Sequence, residues 1–283
     1  MSKGSLFWGT AVGKLGQAVY YRSNGEQRTR TYLRQFVNRK SPAQMANRVK
    51  WPNLVNFYRV AKPFIEKGLA TKTSQSTYNK FISENIGSST TYLTKSMAMA
   101  GSSIIAPYVV TSGDLGVVSM ISATESQFKV EANFPDVTLA QLSTSLINQN
   151  EGLQMGDRIT FLVFSQELMT DGSGYPELVP YYASIVLSDS ASVVNAAVEG
   201  NLTLDESNGQ LAVDLGDTDI QNYCVAVIVS RNIQGKLHCS TSRCFVVADV
   251  PEGNQSYGYG VTLDIAMQSY GVGQPVFLDT NRE

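Results

Sequence analysis

DRITFLVFSQ (residues 157–166) and PYYASIVLS (residues 180–188) decide the fold of this chain. Each is a short run rich in β-branched and aromatic residues, bounded by Asp- and Gly-bearing sequence, which is how strands are punctuated. Working outward, the pattern recurs in GVVSMI (116–121), SQFKVEANF (126–134), QLAVDL (210–215), NYCVAVIVSR (222–231) and RCFVVADV (243–250). Seven or so short strands at this spacing predict an antiparallel, immunoglobulin-like β-sandwich over residues 107–250. Cys224 to Val229 is apolar on both faces, which predicts a central strand. TLAQLSTSLINQNEG (138–152) predicts a short helix inserted between strands.

Upstream the chemistry changes. AVYYRS (18–23), then Asn24-Gly25, then EQRTRTYLRQF (26–36) predicts a β-hairpin, because Asn and Gly tolerate the positive φ of a type I′ turn. Period-two alternation puts Arg28, Arg30, Tyr32, Arg34 and Phe36 on one face of the second strand. Gly9, Gly13 and Gly16 suggest backbone pressed closely against something. Ser41-Pro42-Ala43-Gln44 opens a helix as N-cap, first-turn proline and capping box. Met45, Val49, Leu54, Val55, Tyr58, Ala61 and Phe64 give helical spacing, and Pro52 and Pro63 predict that the helix is kinked or broken. A further helix is expected from Ser76 to Gly87. The fold class expected is thus α+β, mainly β. A basic hairpin-helix docking module spans 1–88, a small-residue linker 89–106, the sandwich 107–250, and an extended C-terminal arm 251–283.

Charge divides the chain a little earlier. Residues 1–72 hold 14 Lys and Arg against Glu26 and Glu66, a net of +12. The remainder holds 8 Lys and Arg against 22 Asp and Glu, a net of −14, and the two sum to the overall −2. Such asymmetry marks contact with a polyanion or an acidic partner. The candidate docking or polyanion-binding residues are Arg22, Arg28, Arg30, Tyr32, Arg34, Arg39, Lys40, Arg48 and Lys50. Arginine with interleaved aromatic rings suits a phosphate backbone and stacked bases. It equally suits a protein interface, since Arg forks and aromatics are favoured there. Docking is preferred, because the +12 segment has a −14 complement in other copies of the same chain.

Other motifs fail on spacing. Gly9-x-x-x-Gly13-Lys14 is one residue short of a phosphate-binding loop, and Leu15 stands where Ser or Thr is needed. His238, Cys239, Cys244 and Cys224 lack zinc-ligand spacing and read as a buried thiol cluster with an edge histidine. Asp214, Asp217 and Asp219 resemble a calcium loop, but Val225 occupies the place of its closing Glu. Asn201-Leu202-Thr203 is a glycosylation sequon that reads as a turn. No acid, base and nucleophile constellation stands out, so the expectation is a non-enzymatic protein without cofactor or metal. The N-terminus lacks the apolar core of a signal peptide and no run approaches 18 apolar residues, so cytosolic synthesis and no membrane contact are expected.

Gly9, Gly13-Lys14, Gly16, Val19, Tyr21-Arg22, Gly25, Arg28 and Arg30, followed by Ser41-Pro42-Ala43-Gln44 and Arg48, resemble the N-terminus of a structural protein family of Bacteroidetes and their crAss-like phages. GDRITFLVFS, YYASIVLS and NYCVAVIVSRNIQGKLHCSTSRCFVV are more loosely similar to that family's sandwich domain. The resemblance implies a virion component made in the bacterial host cytoplasm. It points to a ring or connector protein of a short tail, or an accessory capsid protein. The partners it implies are identical subunits, other virion proteins and phage DNA. No catalytic residue is carried over.

Overall fold

A strand that is apolar on both sides needs cover on both, and this requirement organises most of the molecule. The computed structural model describes residues 12–23, 26–32, 41–65, 76–123, 127–130, 138–205, 211–214, 222–248, 256 and 259–271. Over these it is mixed α+β, with five α-helices and mostly antiparallel sheets. Two compact units are present, Met1–Ser41 and Pro42–Glu283. In the first, β1 (Gly13–Leu15), β2 (Ala18–Ser23) and β3 (Glu26–Thr31) form an antiparallel meander.

The second unit begins with α1 (Pro42–Ile65), α2 (Thr77–Asn85) and α3 (Lys95–Ala100). Then come β4 (Val109–Thr111), β5 (Met120–Ala123), β6 (Gln127–Val130) and α4 (Leu139–Gln149). The long strands β7 (Arg158–Leu168) and β8 (Pro176–Val186) follow, then β9 (Glu199–Gly200), β10 (Thr203–Asp205) and β11 (Leu211–Asp214). The chain continues through β12 (Tyr223–Ile233), β13 (Lys236–Cys239), β14 (Ser242–Arg243), β15 (Phe245–Val247) and α5 (Leu263–Ser269). The main sheet runs β13-β12-β7-β8-β9, with β15 also pairing β12. A second sheet runs β10-β11-β6-β5, and β14 pairs β4.

Period-two alternation along β7, β8 and β12 splits the core in two. Ile159, Phe161, Val163, Ala183, Ile185, Tyr223, Val225 and Val229 point to one face, where Leu142 and Leu146 of α4 and Leu204 of β10 cover them. Leu162, Phe164, Leu178, Cys224, Ala226 and Ile228 point to the other, under Leu54, Phe57 and Ala61 of α1 and Phe81 of α2. Cys224–Val229 is central, as its composition requires: β12 lies between β7 and the pair β13 and β15. At one margin of the sheet Arg231 holds the fully buried Asp157 by two hydrogen bonds, Nε to Oδ1 at 2.5 Å and a terminal nitrogen to Oδ2 at 2.7 Å.

Residues 89–106, read as a linker, belong to this core. They contain α3, capped by the Thr94 side chain and closed by Gly101, and they bury Leu93, Met97, Ile104, Ile105 and Ala106. Side-chain amides from α1 and β7, rather than a sheet ladder, satisfy much of this buried backbone. Asn53 Oδ1 accepts from Ile104 N at 2.7 Å while its Nδ2 donates to Ile104 O at 3.0 Å. Asn85 makes the same pair of bonds with Val109, at 2.7 and 3.0 Å. Asn56 Nδ2 donates to Ser102 O, Gln166 Oε1 accepts from Ile105 N, and Ser102 and Ser103 bond the start of β8.

Two further expectations change. α1 continues through Pro52 and Pro63 as one 24-residue helix instead of breaking. Pro52 leaves the Arg48 carbonyl without its i+4 donor, and the neighbouring Val49 carbonyl accepts from Leu93 N at 3.1 Å outside the helix. Burial of Met45, Val49, Leu54, Phe57, Tyr58, Ala61 and Ile65 holds the helix together across both prolines. In the segment read as an extended arm, Leu263–Ser269 is a helix whose Ala266 and Met267 pack against Met45, Val49 and Tyr92. The rest of 251–283 lies outside the described residues, apart from Ser256 and residues 259–271. Ser256 bonds both N and O of Tyr92, so this region is tied to the core.

Candidate functional site

The meander of the N-terminal unit is where sequence and geometry meet. Register pairs Ser23 with Glu26, leaving two residues to connect β2 and β3 as the hairpin reading requires; Asn24 and Gly25 themselves lie outside the described residues. β1 and β2 join through Gly16-Gln17, and Gly16 has φ +58°, the positive value a II′ turn needs at its first position. Nothing lies within 4 Å of where its Cβ would be, so turn geometry, and not close packing, explains this glycine.

Register sorts the side chains. Val19 faces Arg30, Tyr21 faces Arg28, and Lys14 faces Val19, so Lys14, Tyr21, Arg28 and Arg30 share one face. Lys14 Nζ sits 3.6 Å from the Tyr32 ring centroid, and the Arg30 guanidinium 5.8 Å from that of Tyr21. Glu26 lies 3.7 Å from Arg28, leaving the face with a surplus of positive charge. Arg22 pairs with Gln27 and belongs to the opposite face, apart from Arg28 and Arg30. No described residue of the unit is buried, and Val12, Leu15, Tyr21 and Tyr32 are exposed large side chains. Lys14 and Tyr21 escaped the sequence reading because only strand pairing, β1 with β2 for Lys14 and β2 with β3 for Tyr21, places them beside the arginines.

Arg34, Arg39 and Lys40 lie outside the described residues. Arg48 and Lys50 belong to α1 of the larger unit, Arg48 exposed and Lys50 half-buried. Arg48 lies 5.8 Å from the Tyr270 ring centroid, and both border a cleft of about 370 Å³ with Asn47, Trp51 and Pro52. Burial pushes the Tyr270 phenol up, and the Arg48 charge opposes that shift. A second cleft of about 270 Å³ lies over the main sheet beside Phe64 and Tyr182. Arg158 bridges Glu199 at 2.6 Å and Ser184 at 3.2 Å along its wall.

Cys224, Cys239 and Cys244 are free and buried, and His238 faces Asp114 at 3.4 Å. Burial, then hydrogen bonding with Cys224, pushes the Cys244 thiol well above its ordinary range, so it stays protonated and unreactive. Among the described residues no group of three or more His, Cys, Asp or Glu could hold a metal ion. No described helix is long and apolar enough to cross a membrane. No protein-family model, curated protein or solved structure matches the chain.

Proposed function

We propose that this chain is a structural protein of a phage particle. In this reading it assembles with copies of itself, through its basic N-terminal module (residues 1–88) and its C-terminal arm (251–283), as a ring or connector component of a short tail. The observation that carries the assembly reading is the meander without a core. Three strands become stable when a hydrophobic face is covered, yet none of the described residues here is buried. A basic and aromatic sheet in that state suits a partner that supplies the cover, and the acidic remainder of another copy has the complementary charge. The phage assignment rests on the N-terminal motif resemblance. We read the two larger sheets as an immunoglobulin-like sandwich, modified by the helical layer over one face of the main sheet. The protein would reside in the virion after synthesis in the host cytoplasm, against other virion proteins and away from membranes.

The test is the mass of the full chain in solution, alone and with proteins of the particle. Assembly is expected, and reversing the charge at Arg28 and Arg30 (Arg28→Glu with Arg30→Glu) should diminish it. A monomer under every condition overturns the proposal. One observation favours the second reading, a nucleic-acid-binding or accessory capsid protein of the head: Lys14, Arg28 and Arg30 lie with Tyr21 and Tyr32 on one exposed face. Loss of DNA retention by the same double variant, with assembly intact, would establish that reading instead.

A further inference from the structure

α1 carries Arg48, Lys50, Arg59 and Lys62 and no Asp or Glu. At 3.6 residues per turn, Arg48, Trp51, Val55, Arg59 and Lys62 fall within an arc of about 80°, opposite the buried stripe through Asn53 and Phe57. The stripe is about 21 Å long, from a rise of 1.5 Å per residue over 14 residues. Trp51 is 44 % exposed, and Arg48, Arg59 and Lys62 are exposed without an ion pair to any described residue. An exposed Trp flanked by arginines has the composition that dominates binding energy at protein interfaces.

The same unit presents the opposite charge elsewhere. Where β7 ends and β8 begins, Glu167 is the direct cross-strand partner of Glu177. Like charges opposite one another destabilise a ladder, and residues 166–180 hold a third acid, Asp171, and no Lys or Arg. The Ser173 hydroxyl and amide hold the Asp171 carboxyl below its usual range, so it is ionised. Glu167 accepts a hydrogen bond from the Tyr181 hydroxyl at 3.1 Å, which does not offset its charge. Beside it Leu168 is 64 % exposed. An uncompensated acidic hairpin end with an apolar side chain matches, in sign and character, a basic helix stripe with an exposed indole.

We infer that the outer stripe of α1 is the docking site for the β7–β8 hairpin end of a second copy of this chain. The inference rests on the assembly reading above and names two of its surfaces. The two patches differ, so the contact is head-to-tail, and repetition closes a ring or extends a filament.

Charge exchange in the full-length chain tests it. One variant reverses the stripe (Arg48→Glu, Arg59→Glu, Lys62→Glu), and a second reverses the hairpin end (Glu167→Lys, Asp171→Lys, Glu177→Lys). Mass by light scattering across concentration and salt is the readout. Each variant alone should self-associate about 100-fold more weakly or worse, because like charges then meet. An equimolar mixture should regain the wild-type mass, which a misfolded variant could not do. Trp51→Ala should weaken association about 30-fold without altering charge. Wild-type mass in either reversed variant, or a mixture that stays dissociated, overturns this interface while leaving assembly itself standing. A wild-type chain that remains monomeric overturns both. Stripe reversal that abolishes retention of duplex DNA at unchanged mass assigns the stripe to nucleic acid and also overturns it.

Discussion

Replacing Asn53 by Ala should cost the larger unit a substantial share of its stability. Asn53 is fully buried and spends its carboxamide on Ile104, accepting from N at 2.7 Å and donating to O at 3.0 Å. Its second donated bond, to the Tyr108 hydroxyl at 3.1 Å, is backed up by Ser89 Oγ at 3.0 Å. Truncation therefore leaves two buried backbone groups without partners and spares the hydroxyl. At about 1–3 kcal/mol for each unsatisfied buried group, the loss is roughly 2–6 kcal/mol. Against a typical total of about 5–15 kcal/mol, that lowers the melting midpoint by on the order of 10 °C in a unit of this size. Urea unfolding of the full chain gives the free energy, and amide hydrogen exchange at Ile104 gives the local effect. Asn47→Ala, on the exposed side of the same helix, is the control and should stay within about 0.5 kcal/mol. A loss below about 1 kcal/mol for Asn53→Ala, or unchanged protection of the Ile104 amide, would refute the assignment of this segment's backbone to side-chain partners.

Three more outcomes follow from the same structure. Arg231→Met removes the guanidinium that holds the fully buried Asp157 and should cost about 3–5 kcal/mol by denaturant unfolding, with part recovered by adding Asp157→Asn. The Tyr108 phenol is fully buried and its pKa is pushed up to about 12, above the ordinary 10.0, chiefly by desolvation. Its proton is thus held more tightly in the folded state. Its contribution to stability is whole below about pH 10 and falls as pH rises towards about 12, so the alkaline decline in melting midpoint should be shallower for Tyr108→Phe than for the wild type. Thiol alkylation of the native chain should spare Cys224 and Cys244 and label both after unfolding, as mass spectrometry will report.

Local pattern was enough for the elements whose side chains alternate or repeat plainly. DRITFLVFSQ, PYYASIVLS and NYCVAVIVSR became β7, β8 and β12, and TLAQLSTSLINQNEG became α4. Ser76 caps α2 by accepting from Asn79 N at 3.2 Å. The β12–β13 hairpin was missed because its connection is Gln234-Gly235, and Gln adopts a positive φ of 52° that its chemistry does not advertise. α5 was missed because seven residues are too few to display a helical period.

The sequence by itself determined the charge partition, the central position of β12, and the alternation that puts Arg28 and Arg30 on one face of β3. These depend only on composition and on the two-residue repeat of a strand, which are local. Tertiary structure alone decided that residues 89–106 are core, since small polar residues suit a linker and a backbone held by Asn53 and Asn56 equally well. It also separated Arg22 from Arg28 and placed Lys14 over Tyr32, because register belongs to a pair of strands and not to either one. The outer basic stripe of α1, proposed above as a docking site, could be seen only in the same way. Burial of Val49, Asn53 and Phe57 had to select one side of the helix before Arg48, Trp51, Arg59 and Lys62 could be recognised as the other.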